Sequence, residues 1–211
     1  MTTANDVLRV AVAEIGYTES PPHSNQNKYG QWYGMNHVPW CAIFVSYCFD
    51  RAGLTLPIRT SKGFAYCQDG VHWFQRQGRW FSQPQVGDVV FYCWQGDGIS
   101  DHVGIVESIN SDGSVTSIEG NTAVGNESNG GAVMRRQRRP GGIMGYGRPA
   151  YKQQPTPAST TQNTTQTSPT PETSQPTPTD TVPEYHRNLL DALTRLILLL
   201  VKTGFMSLLG I

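Results

Sequence analysis

The residue whose chemistry stands out first is Cys41, which follows a proline and a tryptophan and opens an apolar run of sequence. Proline favours the first turn of a helix and glycine favours the position after its end. The pattern therefore predicts a helix that begins near Cys41 and stops at Gly53. A thiol in the first helical turn lies beside unpaired N–H groups and the positive end of the helix dipole, which stabilise a thiolate. The same N–H groups could hold an oxyanion. Free cysteines are also often buried structural residues, so this segment alone leaves both interpretations open.

Residues 102–121 supply a candidate general base and two candidates for the group that orients it. The sequence predicts two strands joined by a tight turn within residues 111–113. If the turn has two residues, antiparallel pairing places His102 on the same sheet face as Glu119 and Asn121. A three-residue turn would shift the register by one residue and break this alignment. Cysteine catalysis needs a nucleophile, a base and an orienting group, and the chain offers candidates in that order.

With these residues in place, the sequence resembles the CHAP domain, the cysteine- and histidine-dependent amidohydrolase/peptidase group within the papain-like cysteine peptidases. The resemblance covers residues from about 5 to 151 and depends on the order and spacing of its motifs rather than on any one of them. The matching stretches are Pro39-Trp40-Cys41-Ala42 with Phe44-Val45-Ser46, Gly87-Asp88-Val89-Val90-Phe91, Asp101-His102-Val103-Gly104-Ile105-Val106, and Ile118-Glu119-Gly120-Asn121.

The resemblance implies a role for each candidate and a fold for the domain. Cys41 is implied as the nucleophile, His102 as base and then acid, and Glu119 as the group that orients the imidazole. Asn121 is implied as a further polar partner. The fold is expected to be α+β and papain-like, with N-terminal helices packed on an antiparallel sheet. The family mostly cleaves bacterial peptidoglycan, at the amide joining muramic acid to L-Ala or within the stem peptide or cross-bridge, so peptidoglycan is the expected partner.

Composition divides the chain into three segments. Residues 1–151 are the expected CHAP-like catalytic domain, and residues 152–183 are rich in Pro and Thr and predict a flexible, disordered linker. Residues 184–211 predict an amphipathic C-terminal helix. Charged residues such as Arg195 and Lys202 interrupt its apolar positions and disfavour a membrane span. We expect this helix to bind a membrane surface, a partner protein or a second copy of itself.

Three functions remain open at this point. The first is an endolysin-like peptidoglycan hydrolase of bacteriophage type that uses a cysteine nucleophile. The second is a wall-binding or membrane-disrupting antibacterial effector whose activity lies in the C-terminal helix. The third is an amidase that acts on a peptide conjugate other than the wall.

The segment from Thr18 to Pro39 predicts a long loop that carries aromatic residues toward the nucleophile. Trp32, Tyr33 and the adjoining Trp40 are the candidate substrate-binding residues, although packing over the core is the other interpretation of each. Calcium is a weaker possibility, because the segment lacks the D-x-D-x-D-G pattern. The four cysteines have no C-x-x-C spacing, and we expect neither a structural metal nor a cofactor.

The charge and the N-terminal sequence bear on partners and location. The formal net charge is zero, which gives no global attraction to nucleic acid. Arg135, Arg136, Arg138 and Arg139 form the one basic cluster, either a solvated face or the lining of an anionic substrate groove. No basic and then apolar signal sequence is visible, so we expect synthesis in the cytoplasm and action on the wall after release through holin-type lesions or injection.

Overall fold

A computed structural model describes residues 2–151 of the chain and contains helices on an antiparallel sheet. The helices are α1 (Ala4–Ala13), α2 (Lys28–Tyr33), α3 (Cys41–Arg51) and α4 (Cys67–Arg76). The strands are β1 (Trp80–Phe81), β2 (Val89–Tyr92), β3 (His102–Ile109), β4 (Val115–Thr122), β5 (Ala132–Arg138) and β6 (Ile143–Gly147). The α+β class is therefore confirmed. The predicted linker and C-terminal helix lie outside the described residues.

The six strands form one sheet in the order β1-β6-β2-β3-β4-β5, with every neighbouring pair antiparallel. Strand β3 lies near its centre, between β2 and β4. This order places the start of β3 beside the end of β4, which brings the His102 motif next to the Glu119 motif. Within residues 2–151, the helices are all too short or too polar to cross a membrane.

Helix α3 is the central element of the core. It begins at Cys41 and ends at Arg51, and Gly53 follows in the left-handed conformation with φ 79°. The helix packs against α1, α2, β3 and β4, and most of its residues are buried. A helix that is apolar around most of its circumference is buried by preference. The predicted start and end of this helix are confirmed.

The segment from Thr18 to Pro39 is more regular than expected. It contains α2, whose first turn is capped by the side chain of Asn27, since its Oδ1 accepts a hydrogen bond from Gly30 N at 2.8 Å. Such caps satisfy N–H groups that have no partner within the helix. The prediction of one continuous loop is wrong because Asn27 supplies a helix start that the Gly- and Asn-rich composition obscures.

The β3–β4 hairpin reaches the required alignment by a route that differs from the expected one. Its loop has three residues, 111–113, with Gly113 in the left-handed conformation at φ 79°. A three-residue loop by itself would place His102 and Glu119 on opposite sheet faces. However, the pairing changes register between Val106 and Ser108, so Glu107 is an extra residue in β3. This bulge shifts the register back by one residue and restores the shared face.

Candidate active site

Cys41 and His102 meet where α3 and β3 begin. Cys41 is the first residue of α3 and is 4% exposed, and His102 is the first residue of β3 and is fully buried. The first N–H groups of a helix have no hydrogen-bond partner within the helix. In α3 these groups lie at the same end as the Cys41 thiol. The two side chains are close enough for each to shift the pKa of the other. The thiol and the imidazole that the sequence singles out are therefore neighbours.

Glu119 holds the imidazole of His102 from the neighbouring strand. The Nε2 atom of His102 lies 3.1 Å from Glu119 Oε2, and both side chains are fully buried. The other ring nitrogen, Nδ1, has no hydrogen-bond partner among the described residues. A proton on Nε2, donated to the carboxylate, leaves Nδ1 as the atom that can receive a proton from the thiol. Of the two predicted orienting residues, the structure brings Glu119 to the base.

The carboxylate of Glu119 is held by further donors on strands β4 and β5. Arg138 donates to both of its oxygens, with Nε lying 2.9 Å from Oε1, and the Ser117 hydroxyl donates to Oε1 at 2.6 Å. The Tyr92 hydroxyl lies 2.9 Å from Ser117 Oγ. A buried carboxylate is costly unless it is paired and hydrogen-bonded, and bidentate arginine is the strongest such partner. These donors therefore hold Glu119 in a fixed position beside the imidazole of His102.

Arg138 is a site residue that the sequence did not predict. Its side chain is 11% exposed and also pairs with Glu127. In the predicted basic cluster, Arg136 also pairs with Glu127, and Arg135 pairs with Glu107. The cluster was expected to be a solvated face or the lining of a substrate groove, and Arg138 fits neither description. It is the counter-ion of the buried Glu119 carboxylate. The available signal was that Arg138 stands two residues from Arg136 in a strand-like run, and so on the same face.

The charges of the site favour an ion pair between sulfur and imidazole. A hydrogen bond from Cys67, opposed by burial and supported by the imidazole of His102, holds the pKa of the Cys41 thiol well below its usual range. Burial alone would lower the pKa of His102, but the Cys41 thiolate and the Glu119 carboxylate outweigh it and raise that pKa to about 9. Burial would raise the pKa of Glu119, and Arg138 and His102 reverse this and lower it to about 2. These directions together favour a thiolate, an imidazolium and a carboxylate in the site.

Two glycines of the motifs provide the room that this arrangement needs. A Cβ atom on Gly104 would lie 2.7 Å from Cγ of Glu119, so the Glu119 side chain occupies the space over Gly104. A Cβ atom on Gly120 would lie 2.5 Å from Cβ of Phe44, so Gly120 lets α3 approach β4. Real carbon contacts are not this short, and any side chain at either position would displace its neighbour. The glycines therefore allow Glu119 and helix α3 to lie close to His102.

Aromatic rings cover the imidazole. The ring of Tyr92, the cross-strand partner of His102, stacks on it with centroids 5.9 Å apart, and Trp94 stacks on it at 5.6 Å. The Arg138 guanidinium lies 5.2 Å from the Trp94 ring centroid. Trp94 is 38% exposed, so it separates the buried charges from solvent on one side. A water-poor surrounding strengthens the interaction between imidazole and carboxylate.

Asn121 does not join the imidazole. Its Nδ2 donates to Oδ1 of Asn129 at 3.1 Å, and its Oδ1 accepts from Gly131 N at 3.2 Å. The backbone of Asn121 is in the left-handed conformation with φ 58°, at a break in the pairing of β4 with β5. The expectation of a polar partner for His102 is therefore wrong, because this backbone turn directs Asn121 to the loop between β4 and β5.

The predicted substrate-binding aromatics lie in different surroundings. Trp40 is fully buried, stacks on Tyr29 at 5.2 Å and donates from Nε1 to Glu19 at 3.1 Å. A substrate cannot reach it, so its predicted contact with substrate is wrong and the core-packing interpretation applies. Trp32 and Tyr33 are partly exposed, and Tyr33 donates from its hydroxyl to Gly63 O at 3.3 Å. Their substrate contact stays a prediction.

Two of the polar side chains around the loop that precedes α3 have hydrogen-bond partners within the protein. The carboxylate of Glu19 is buried and accepts the hydrogen bond from Trp40, while Asn27 caps α2. Among residues 2–151, no group of three or more His, Cys, Asp or Glu side chains is arranged to hold a metal ion.

A comparison with protein-family models agrees with the resemblance over part of the chain. The family model described as "CHAP domain" matches residues 32–121, which include Cys41, His102, Glu119 and Asn121. The resemblance is confirmed over these residues. Among solved structures, the chain is similar to one described as a crystal structure of the wild-type endolysin LysIME-EF1, with 17% identity and a TM-score of 0.46. That alignment covers 72% of this chain and 66% of the endolysin chain, just under two thirds of its length. No curated protein sequence matches.

Proposed function

We propose that this chain, which carries a CHAP domain over residues 32–121, is a peptidoglycan hydrolase that cleaves amide bonds with Cys41 as nucleophile. One observation carries the proposal: a helix-start thiol lies beside an imidazole whose Nε2 is held by a buried carboxylate. This is the constellation that nucleophilic cysteine catalysis requires. Its order along the chain is Cys41, His102, Glu119.

The reaction follows from the charges of the site. The thiolate of Cys41 attacks the carbonyl carbon of the scissile amide, and backbone N–H groups at the start of α3 receive the developing oxyanion. The imidazolium of His102 then gives its proton to the leaving amine. This step releases the amine and leaves an acyl thioester on Cys41. Water, deprotonated by the same imidazole, attacks the thioester and expels the Cys41 thiolate, which releases the carboxylic acid and restores the thiolate and the imidazolium.

Glu119 and Arg138 act through His102 rather than on the substrate. Glu119 stabilises the imidazolium and fixes the ring so that Nδ1 is the exchanging nitrogen. Arg138 keeps Glu119 ionised and correctly placed, which makes it a positioning residue. The bond cleaved is the amide between muramic acid and L-Ala, or a peptide bond of the stem or cross-bridge, as the CHAP resemblance implies.

The test is mass spectrometry of products released from purified peptidoglycan. Wild type should release fragments, and Cys41→Ala should reduce release on the order of 10⁴-fold or more. A new amino terminus at L-Ala with intact muramic acid identifies the muramoyl amide, and shortened stems or bridges identify a peptide bond. Cys48→Ala is the matched control, because Cys48 is a buried thiol of the same helix. Release that persists in Cys41→Ala would sink the proposal.

A further inference from the structure

A second thiol lies against the nucleophile. Cys41 and Cys67 are each the first residue of a helix, α3 and α4, and their Sγ atoms are 3.6 Å apart. Both are free thiols, exposed by only 4% and 6%. The sulfur–sulfur distance is within the range of a hydrogen bond between thiol groups. No sequence motif and no step of the proposed reaction so far uses Cys67.

The surroundings decide which sulfur keeps its proton. His102 stabilises a negative charge on Cys41, whereas the charge of Asp101 disfavours a negative charge on Cys67. The hydrogen bond to Cys41, burial and the neighbouring thiolate all raise the pKa of Cys67. These charges favour the proton on Cys67, whose S–H can then donate across the 3.6 Å to the Cys41 sulfur. A hydrogen bond to an ionised acceptor is roughly twice as strong as one between neutral groups.

We propose that Cys67 is a second functional thiol of the active site, whose S–H donates to the Cys41 thiolate, stabilises it and holds it in place. It touches the reacting sulfur, so it belongs to the catalytic machinery. The proton stays on Cys67 throughout, and the hydrogen bond weakens when Cys41 becomes a neutral thioester. This proposal rests on the proposed function and adds one residue to it: Cys67 sets the fraction of Cys41 that is ionised.

The experiment measures alkylation of Cys41 by iodoacetamide between about pH 4 and pH 10, with the modified residue identified by peptide mass. Wild type should react at low pH, with its midpoint well below that of an ordinary thiol. In Cys67→Ala the midpoint should rise by about one pH unit or more. In Cys67→Ser, which keeps a hydroxyl donor, it should rise less. Cys48→Ala should match wild type, because Cys48 is also buried in α3 but lies about 10 Å from Cys41 along the helix axis.

An unchanged midpoint in both Cys67→Ala and Cys67→Ser would overturn the proposal. Thermal unfolding shows whether the variants fold, and a reciprocal measurement covers the case in which they do not. In Cys41→Ala the neighbouring thiolate is gone, so alkylation of Cys67 should begin at lower pH than in wild type. An unchanged Cys67 profile would equally overturn the proposal.

The reactivity assay is independent of the wall assay, so the two proposals can fail separately. A shifted midpoint without release of fragments from peptidoglycan would sink the proposed function and leave the assignment of Cys67 standing. Fragment release with an unshifted midpoint would do the reverse.

Discussion

At the scale of single residues, the site is a row of alternating charges. The Cys41 thiolate, the His102 imidazolium, the Glu119 carboxylate and the Arg138 guanidinium each face a group of opposite sign. Isolated buried charges are costly, and alternation offsets that cost because each ion stabilises its neighbours. A change at one member should therefore alter the proton affinity of the next.

Replacing Glu119 with Gln is expected to move the alkaline limit of activity to lower pH. His102 must be an imidazolium to protonate the leaving amine, so activity falls as pH rises through its pKa of about 9. Without the carboxylate, one of the two anions that raise this pKa is lost. The value of kcat/KM should also drop on the order of 10²–10⁴-fold. A profile of kcat/KM against pH measures both effects.

The control for that change is Glu107→Gln. Glu107 is a partly exposed carboxylate of the same strand as His102 and pairs with Arg135 instead. Its profile should overlay that of wild type. An alkaline limit that stays in place in Glu119→Gln would contradict the role given to Glu119.

The sequence predicted Cys41, His102 and Glu119 because each lies in a local sequence pattern. That pattern indicates the helix or strand to which the residue belongs and the face on which its side chain lies. Arg138 and Cys67 carry no such pattern. Arg138 reaches Glu119 only because β5 pairs with β4, and Cys67 meets Cys41 only because two helices start at the same place. Asn121 failed for a related reason, since a single left-handed residue redirects a side chain without changing the alternation of the sequence.

At the scale of elements, the β3–β4 hairpin shows that loop length alone does not fix register. The three-residue loop and the bulge at Glu107 each shift the pairing by one residue, and the two shifts cancel. The alignment of His102 with Glu119 that a two-residue loop would give is present, although the loop has three residues. Sequence patterns report which residues are buried, and both routes bury the same ones.

Deleting Glu107 is therefore expected to leave the active site intact. The deletion removes the extra residue, so β3 and β4 can pair regularly from the loop to His102. Only the exposed pair with Arg135 is lost, which costs about 0–1 kcal/mol. Hydrolysis of purified peptidoglycan should stay within a few-fold of wild type.

Deleting Val106 is the matched control. It also removes one residue from β3, but it moves the charged side chain of Glu107 into the buried position of Val106. A buried carboxylate without a partner destabilises by several kcal/mol, so the thermal midpoint and activity should both fall. If the two deletions lowered the thermal midpoint and activity equally, this would contradict the conclusion that the bulge at Glu107 sets the register of β3 and β4.

At the scale of the whole molecule, the last described residues close the domain. The Arg148 guanidinium pairs with the buried Asp88 at 2.8 Å, and the Tyr151 hydroxyl donates to Gly87 O at 2.7 Å. The Tyr151 ring also stacks on Phe49 of α3 at 6.2 Å. These contacts hold residues 148–151 against the turn before β2 and against helix α3.

A chain that ends at Tyr151 is expected to fold and to cleave purified peptidoglycan, as the predicted domain boundary implies. A chain that ends at Gly147 leaves Asp88 buried without Arg148, which costs about 3 kcal/mol. Its thermal midpoint should be lower by roughly 10 °C. Scanning calorimetry of both truncations tests the boundary. A 1–151 chain that does not fold would place the boundary further along the sequence.

From the contact between the Cys41 and Cys67 sulfurs we also expect the protein to be sensitive to oxidation. Hydrogen peroxide converts the Cys41 thiolate to a sulfenic acid and hydroxide, and the Cys67 thiol then displaces water to form a disulfide. Peroxide-treated protein should lose activity and two hydrogens in mass, and a dithiol reductant should restore both. Cys67→Ser should recover less, because its Cys41 is left to oxidise further. Cleavage would then be confined to reducing conditions, and the paired sulfurs would protect the nucleophile from irreversible damage.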